Sequence, residues 1–199
     1  MYNSEPFTHT GAIATYEMND CTTLSGGWTA GWDTGFDQFG DGSTFLGGFT
    51  RNMGDDASFT YITTFGDLGA RGDDAYSHSM VLDLQLTECL QTVFQSDLLR
   101  VDSTGEDNFA LSNYLFYTMS DRLTVGRRIE WWKGDNVTGY APHGGTLPPG
   151  GSHSQYEATY GFNYKATSNL TVRPEYRYDW SPGLDYKANI FGIDFVMTF

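Results

Sequence analysis

Residues 169–199 read NLTVRPEYRYDWSPGLDYKANIFGIDFVMTF, and the alternation within them decides the fold. In the first half Leu170, Val172, Tyr176, Tyr178 and Trp180 share a face, with Pro174 among them. Thr171, Arg173, Glu175, Arg177 and Asp179 share the other. In the second half Phe191, Ile193, Phe195, Met197 and Phe199 lie together, opposite Gly192, Asp194 and Thr198, with Val196. Side chains alternate across a strand, so this is a hairpin of two strands with one aromatic-rich face and one charged face. A soluble sheet can bury the apolar face in a core. A membrane barrel turns it to lipid and keeps the charges in a wet lumen. The chain runs to Phe199 with no polar tail, which points to the closing strand of an outer-membrane barrel.

The pattern repeats upstream. Further strands are expected at about 9–18, 22–33, 43–52, 57–66, 75–87, 90–101, 108–119, 123–133 and 154–166. The clearest sets Tyr156, Ala158, Tyr160, Phe162 and Tyr164 against Glu157, Thr159, Gly161, Asn163 and Lys165. Around 108–119 the faces stay ambiguous, because Tyr114 to Tyr117 is continuously apolar. Short turns and longer loops alternate, as they do in bacterial barrels, and the longest loop covers about 134–153. The expected fold is all-β, an antiparallel up-and-down transmembrane β-barrel. About eleven strands is an odd number where such barrels are even. The expectation is therefore one barrel domain over 1–199 that lacks N-terminal strands. Met1 also leads straight into Tyr2-Asn3-Ser4-Glu5, without the basic segment and apolar core of a signal peptide.

Composition agrees. Aromatics make up 16% of the chain and 24 residues are glycine, while mean hydropathy is -0.41. No apolar run approaches the ~20 residues of a spanning helix. The formal charge of -14 excludes nucleic acid as a natural partner, since phosphate would be repelled. Much of the acid falls in loops, including Asp33, Asp37, Asp41, Asp67, Asp73 and Asp74. That is a solvated rim in the plain reading and a cation-enriching pore mouth in the sharper one.

Particular residues then resemble a known family. They are Thr8-His9-Thr10-Gly11, Gly31-Trp32-Asp33, Gln95-Ser96-Asp97, Tyr156 to Lys165, and above all Arg173-Pro174-Glu175-Tyr176-Arg177-Tyr178-Asp179. Together they look like the C-terminal part of the second β-barrel porin family of Gram-negative bacterial outer membranes. The resemblance covers essentially the whole chain. It implies a bacterial outer-membrane location, longer relatives with strands upstream, and a porin role.

The charged face is the best functional feature. Arg128, Glu130, Glu157, Lys165, Arg173, Glu175, Arg177, Asp179 and Asp194 are expected to share one pore-lining wall. Tyr176, Tyr178, Trp180, Phe191, Ile193, Phe195, Met197 and Phe199 are expected to face lipid. A ladder of ion pairs that stiffens the wall is the plainer reading of the charges, and it is compatible with a polar channel lining. Trp28, Trp32, Tyr156, Tyr164, Tyr178 and Trp180 fit an interfacial aromatic girdle. Arg127 falls on the lipid face, at a cost of roughly 2–4 kcal/mol at mid-membrane. Pro174 cannot donate to a ladder and predicts a bulge or one missing bond. Cys21 and Cys89 fall in short turns four strands apart, about 19 Å, too far for a mutual disulfide.

His9, His78, His143 and His153 lack metal spacing, and no nucleophile elbow or phosphate loop occurs. The expectation is no cofactor and no enzyme. It is a passive pore for small hydrophilic solutes or ions, with a mild cation preference, embedded in the lipid bilayer. Self-association or a partner chain stays open. The alternatives are a plugged outer-membrane barrel whose loops dock a partner, and a secreted β-sandwich.

Overall fold

A computed structural model describes residues 5–35, 40–137 and 150–198. Eleven strands follow in chain order: β1 His9–Asn19, β2 Thr22–Trp32, β3 Ser43–Asn52, β4 Ala57–Asp67, β5 Ala75–Thr87, β6 Leu90–Val101, β7 Glu106–Ser120, β8 Leu123–Asp135, β9 Ser152–Lys165, β10 Leu170–Ser181 and β11 Tyr186–Met197. Each strand pairs antiparallel with its chain neighbours, so spatial order is sequence order and β1 and β11 form the sheet edges. This is the up-and-down plan of a transmembrane barrel. The shortest strand has 10 residues and the longest 15, enough to cross a membrane at a tilt.

The two faces differ as the alternation requires. One presents bare apolar groups: Phe191 is 72% exposed, Phe195 63% and Tyr160 54%. The other encloses polar groups, among them Glu157, Asp179, Asp97 and Asn108. A sheet that buries its charges and bares its phenylalanines is inverted relative to a soluble protein, and curvature places the polar face inside. Register resolves β7: Leu111, Asn113, Leu115 and Tyr117 look outward, while Ala110, Ser112, Tyr114 and Phe116 look inward.

Two details depart from the sequence reading. Trp32 does not join the outward girdle. Gly31 takes a positive φ of 82°, and the β1–β2 register shifts between His9 and Gly11. That bulge turns Trp32 inward, where it is 4% exposed and packs with Leu68, Ala75, Leu99 and Val101. The connection after β6 is shorter than expected, because β7 begins at Glu106. The strict alternation of short turns and long loops therefore softens there and at the 3₁₀ turn Pro182–Leu184. Pro174 brings the expected disturbance as a gap in the ladder and not as a bulge. Its pairing with β11 is continuous, and the pairing of β10 with β9 skips from Val172 to Glu175.

Trp28, Tyr156, Tyr164, Tyr178 and Trp180 do lie on the outward face. The Tyr156 and Tyr178 rings each stack on Trp180 at 5.3 Å between centroids. Cys21 and Cys89 are exposed free thiols in the turns after β1 and β5. Phe199, Asp37 and the prolines 142, 148 and 149 of the longest loop lie outside the described residues.

Candidate functional site

The nine charged residues singled out in sequence fall on the inward face of β8–β11. The pairings Glu130↔Glu157↔Asp179 form one lateral row. The next row toward the short turns runs Arg128↔Thr159↔Arg177. A carboxylate row thus lies beside an arginine row, and the bonds run between them. Arg128 donates to Glu157 Oε1 from Nε at 2.7 Å and Nη2 at 2.6 Å. Arg177 reaches Glu157 Oε2 at 3.2 Å and Asp179 Oδ1 at 2.7 Å. The Thr159 hydroxyl donates to Glu157 Oε1 at 2.6 Å, and the Ser112 hydroxyl to Glu130 Oε2 at 3.3 Å. Buried carboxylates persist only when paired and hydrogen-bonded, and these are.

Further down, Arg173 grips Asp194 with two bonds of 2.7 and 2.6 Å. Both side chains are about half exposed, so this pair is a weaker brace. Between it and the arginine row lies a hollow of about 500 Å³, lined by Gly126, Gly161, Gly192 and Glu175. Those four are paired neighbours in register, and the missing side chains create the space. Lys165 shares the face but stands apart at the turn end of β9, opposite Thr171.

Several inward residues carry no charge pattern that sequence reading could catch. The Arg128 guanidinium lies 5.9 Å from the Tyr114 ring centroid. Trp132 packs inward with Ala110, Val137 and Leu184. On β2–β4 the inward wall is hydroxylic instead of ionic: Thr29 bonds Thr44 at 2.5 Å and Thr50 bonds Thr60 at 3.0 Å.

The end with the longer connections is partly filled. The Trp32 amide donates to the Leu68 carbonyl at 2.9 Å, which folds the β4–β5 loop inward. Arg71 on that loop pairs with Glu106 of β7 at 2.6 Å and lies 5.5 Å from the Trp32 ring centroid. Glu106 also accepts from the Asn108 amide at 2.6 Å. The loop spans from β2 to β7 across the enclosed side of the sheet.

A family model described as "Putative beta-barrel porin-2, OmpL-like" matches residues 1–199. None of the curated protein sequences compared with it matches. Among solved structures, a loop-L8 deletion mutant of OmpT, an outer membrane protein of Vibrio cholerae, aligns with a TM-score of 0.59 at 18% identity over 94% of this chain. The chain spans 62% of that OmpT chain. In-vitro folded OmpT of Vibrio cholerae in a trimer form aligns with a TM-score of 0.59 at 15% identity, over 92% of this chain and 63% of that one. The NanC porin aligns with a TM-score of 0.51 at 13% identity, over 96% of this chain and 93% of that one. At these identities the likeness is one of fold.

Proposed function

Because this chain belongs to the OmpL-like β-barrel porin-2 family and is a bacterial outer-membrane β-barrel, we propose that it forms a passive diffusion pore for small hydrophilic solutes and ions, with a mild preference for cations. The observation that carries the reading is the enclosed, mixed-charge wall of β8–β11. Fixed charges already paired with one another give a permeating ion polar contacts without a deep well to trap it. Arg128, Glu130, Glu157, Lys165, Arg173, Glu175, Arg177, Asp179 and Asp194 are the proposed lining.

The preference follows from the balance of signs. The inward rows of the described strands carry Glu17, Asp83, Asp97 and Glu106 besides the five carboxylates just named. Against them stand Arg128, Lys165, Arg173 and Arg177, with Arg71 reaching in from the β4–β5 loop. A wall with more fixed anions than cations raises the local cation concentration. Nothing in this wall asks for catalysis, and the proposal is a conduit and not an enzyme.

The test is planar-bilayer recording of the full-length protein across a salt gradient. Stepwise conductance with a reversal potential of cationic sign supports the pore. A correctly folded barrel that stays silent supports the second reading, a plugged barrel. The feature favouring that second reading is the β4–β5 loop clamped inward by Arg71 and Glu106. Self-association is also proposed, in keeping with the trimer form in which OmpT was solved.

A further inference from the structure

One arginine faces the wrong way for a membrane wall. Arg127 pairs in register with Leu115 and Tyr160, both outward. It stands midway along the outward run Leu123, Val125, Arg127, Ile129, Trp131. No register shift occurs near it, so it is not turned by a bulge. Among the described residues its hydrogen bond is to Asn113 Oδ1, at a long 3.4 Å. The Asn113 amide nitrogen is spent on its own sheet, donating to Thr92 Oγ1 at 3.0 Å and the Val93 carbonyl at 3.2 Å. That fixes Asn113 Oδ1 as an acceptor on the outer surface.

Hydrocarbon offers no acceptor at this depth. Four strand residues separate Arg127 from either end of the run, roughly 10 Å along the membrane normal for a tilted strand. A lipid phosphate lies beyond the arginine stem at that distance. The surface that covers Arg127 must therefore bring acceptors to mid-height. From these facts we infer that the outward face of β7–β9 around Arg127 is a contact between copies of this chain.

A second copy supplies what is needed without a special partner. Copies related by an axis along the membrane normal keep equal heights. The neighbour's Asn113 Oδ1 and the phenol of its Tyr160, which is 54% exposed, then stand level with Arg127. Beside them an outward hollow of about 430 Å³, lined by Phe94, Leu111, Ile129 and Trp131, can receive an apolar side chain of the neighbour. The acids that the outward rows of β7 and β8 carry among the described residues, Asp107 and Asp135, lie at the loop end and are paired with Arg100 and Lys133. The contact is thus of arginine with neutral acceptors, and it should resist salt.

This inference rests on the self-association proposed above and not on conduction, which is read separately. Native mass spectrometry of the full-length protein in mild detergent tests it. Wild type is expected as an oligomer, with Arg127→Leu at least about tenfold weaker in association and Arg127→Lys intermediate. Phe162→Cys, on the same outward face and 49% exposed, in a Cys21→Ser, Cys89→Ser background should be bridged between copies by a bifunctional maleimide. A monomeric wild type overturns the inference. So does an Arg127→Leu protein that stays oligomeric, or an absence of Phe162→Cys cross-links. Retained anionic phospholipid that is lost with Arg127→Leu, from a monomer, would assign the surface to lipid instead.

Discussion

Glu130 and Glu157 occupy directly paired positions on β8 and β9 and face the same way. Two carboxylates so placed repel. The same row continues to Asp179, so three acids stand side by side across three strands. The arginines of the next row hold them together, with Glu157 at the centre, bonded to Arg128, Arg177 and Thr159.

Glu157→Gln removes the hub while leaving Arg128 and Arg177 in place. Breaking a fully buried pair costs about 3–5 kcal/mol. Both arginines are partly wetted, with side chains 31% and 26% exposed, so the expected loss is about 1–3 kcal/mol. Urea unfolding in detergent measures it. The cation-to-anion permeability ratio should fall in the same variant.

Asp194→Asn is the contrasting case. Its bond to Arg173 is as short, at 2.6 Å, but the two side chains are 47% and 56% exposed. Stability should barely change, because water screens an exposed pair, while selectivity shifts away from cations. An unfolding midpoint that moves as far as that of Glu157→Gln would contradict the burial argument.

Arg71→Ala should release the β4–β5 loop from Glu106 and Trp32. Single-channel conductance is expected to rise. Unchanged conductance would mean that the loop does not limit flow. Glu106 is left buried beside Asn108 without its cation, so about 1–3 kcal/mol of stability should also go.

Gly31→Ala tests the inward turn of Trp32. The position has φ 82°, and an added Cβ would sit 2.8 Å from the Leu68 carbonyl oxygen. Left-handed backbone costs an alanine about 1–2 kcal/mol before that clash. Thermal unfolding should show the loss, and the fluorescence of Trp32 should shift red as its packing loosens.

Cys21 and Cys89 should each take up one maleimide in the folded protein without prior reduction, and no disulfide between them should appear under oxidation. Mass spectrometry of the labelled chain counts the adducts.

Much of this fold was legible because alternation with a period of two leaves little freedom. Once Arg173 and Glu175 share a face, Tyr176 and Phe191 must take the other. The charged wall followed from the same rule, residue by residue. Trp32 was not legible. It fits the outward alternation of Leu24, Gly26 and Trp28, and only the left-handed Gly31 reverses it. The inward fold of Arg71 was equally hidden, since its partner Glu106 lies 35 residues away in the chain and the ion pair depends on curvature. Asn113 escaped because the apolar run after it masked which face it took.

The inward hydroxyls of β2–β4 and the inward ions of β8–β11 dress two stretches of the proposed passage differently. A travelling molecule with separated poles would be gripped on one side and would glide on the other. Its orientation on entry, and not its girth alone, would then set how fast it crosses.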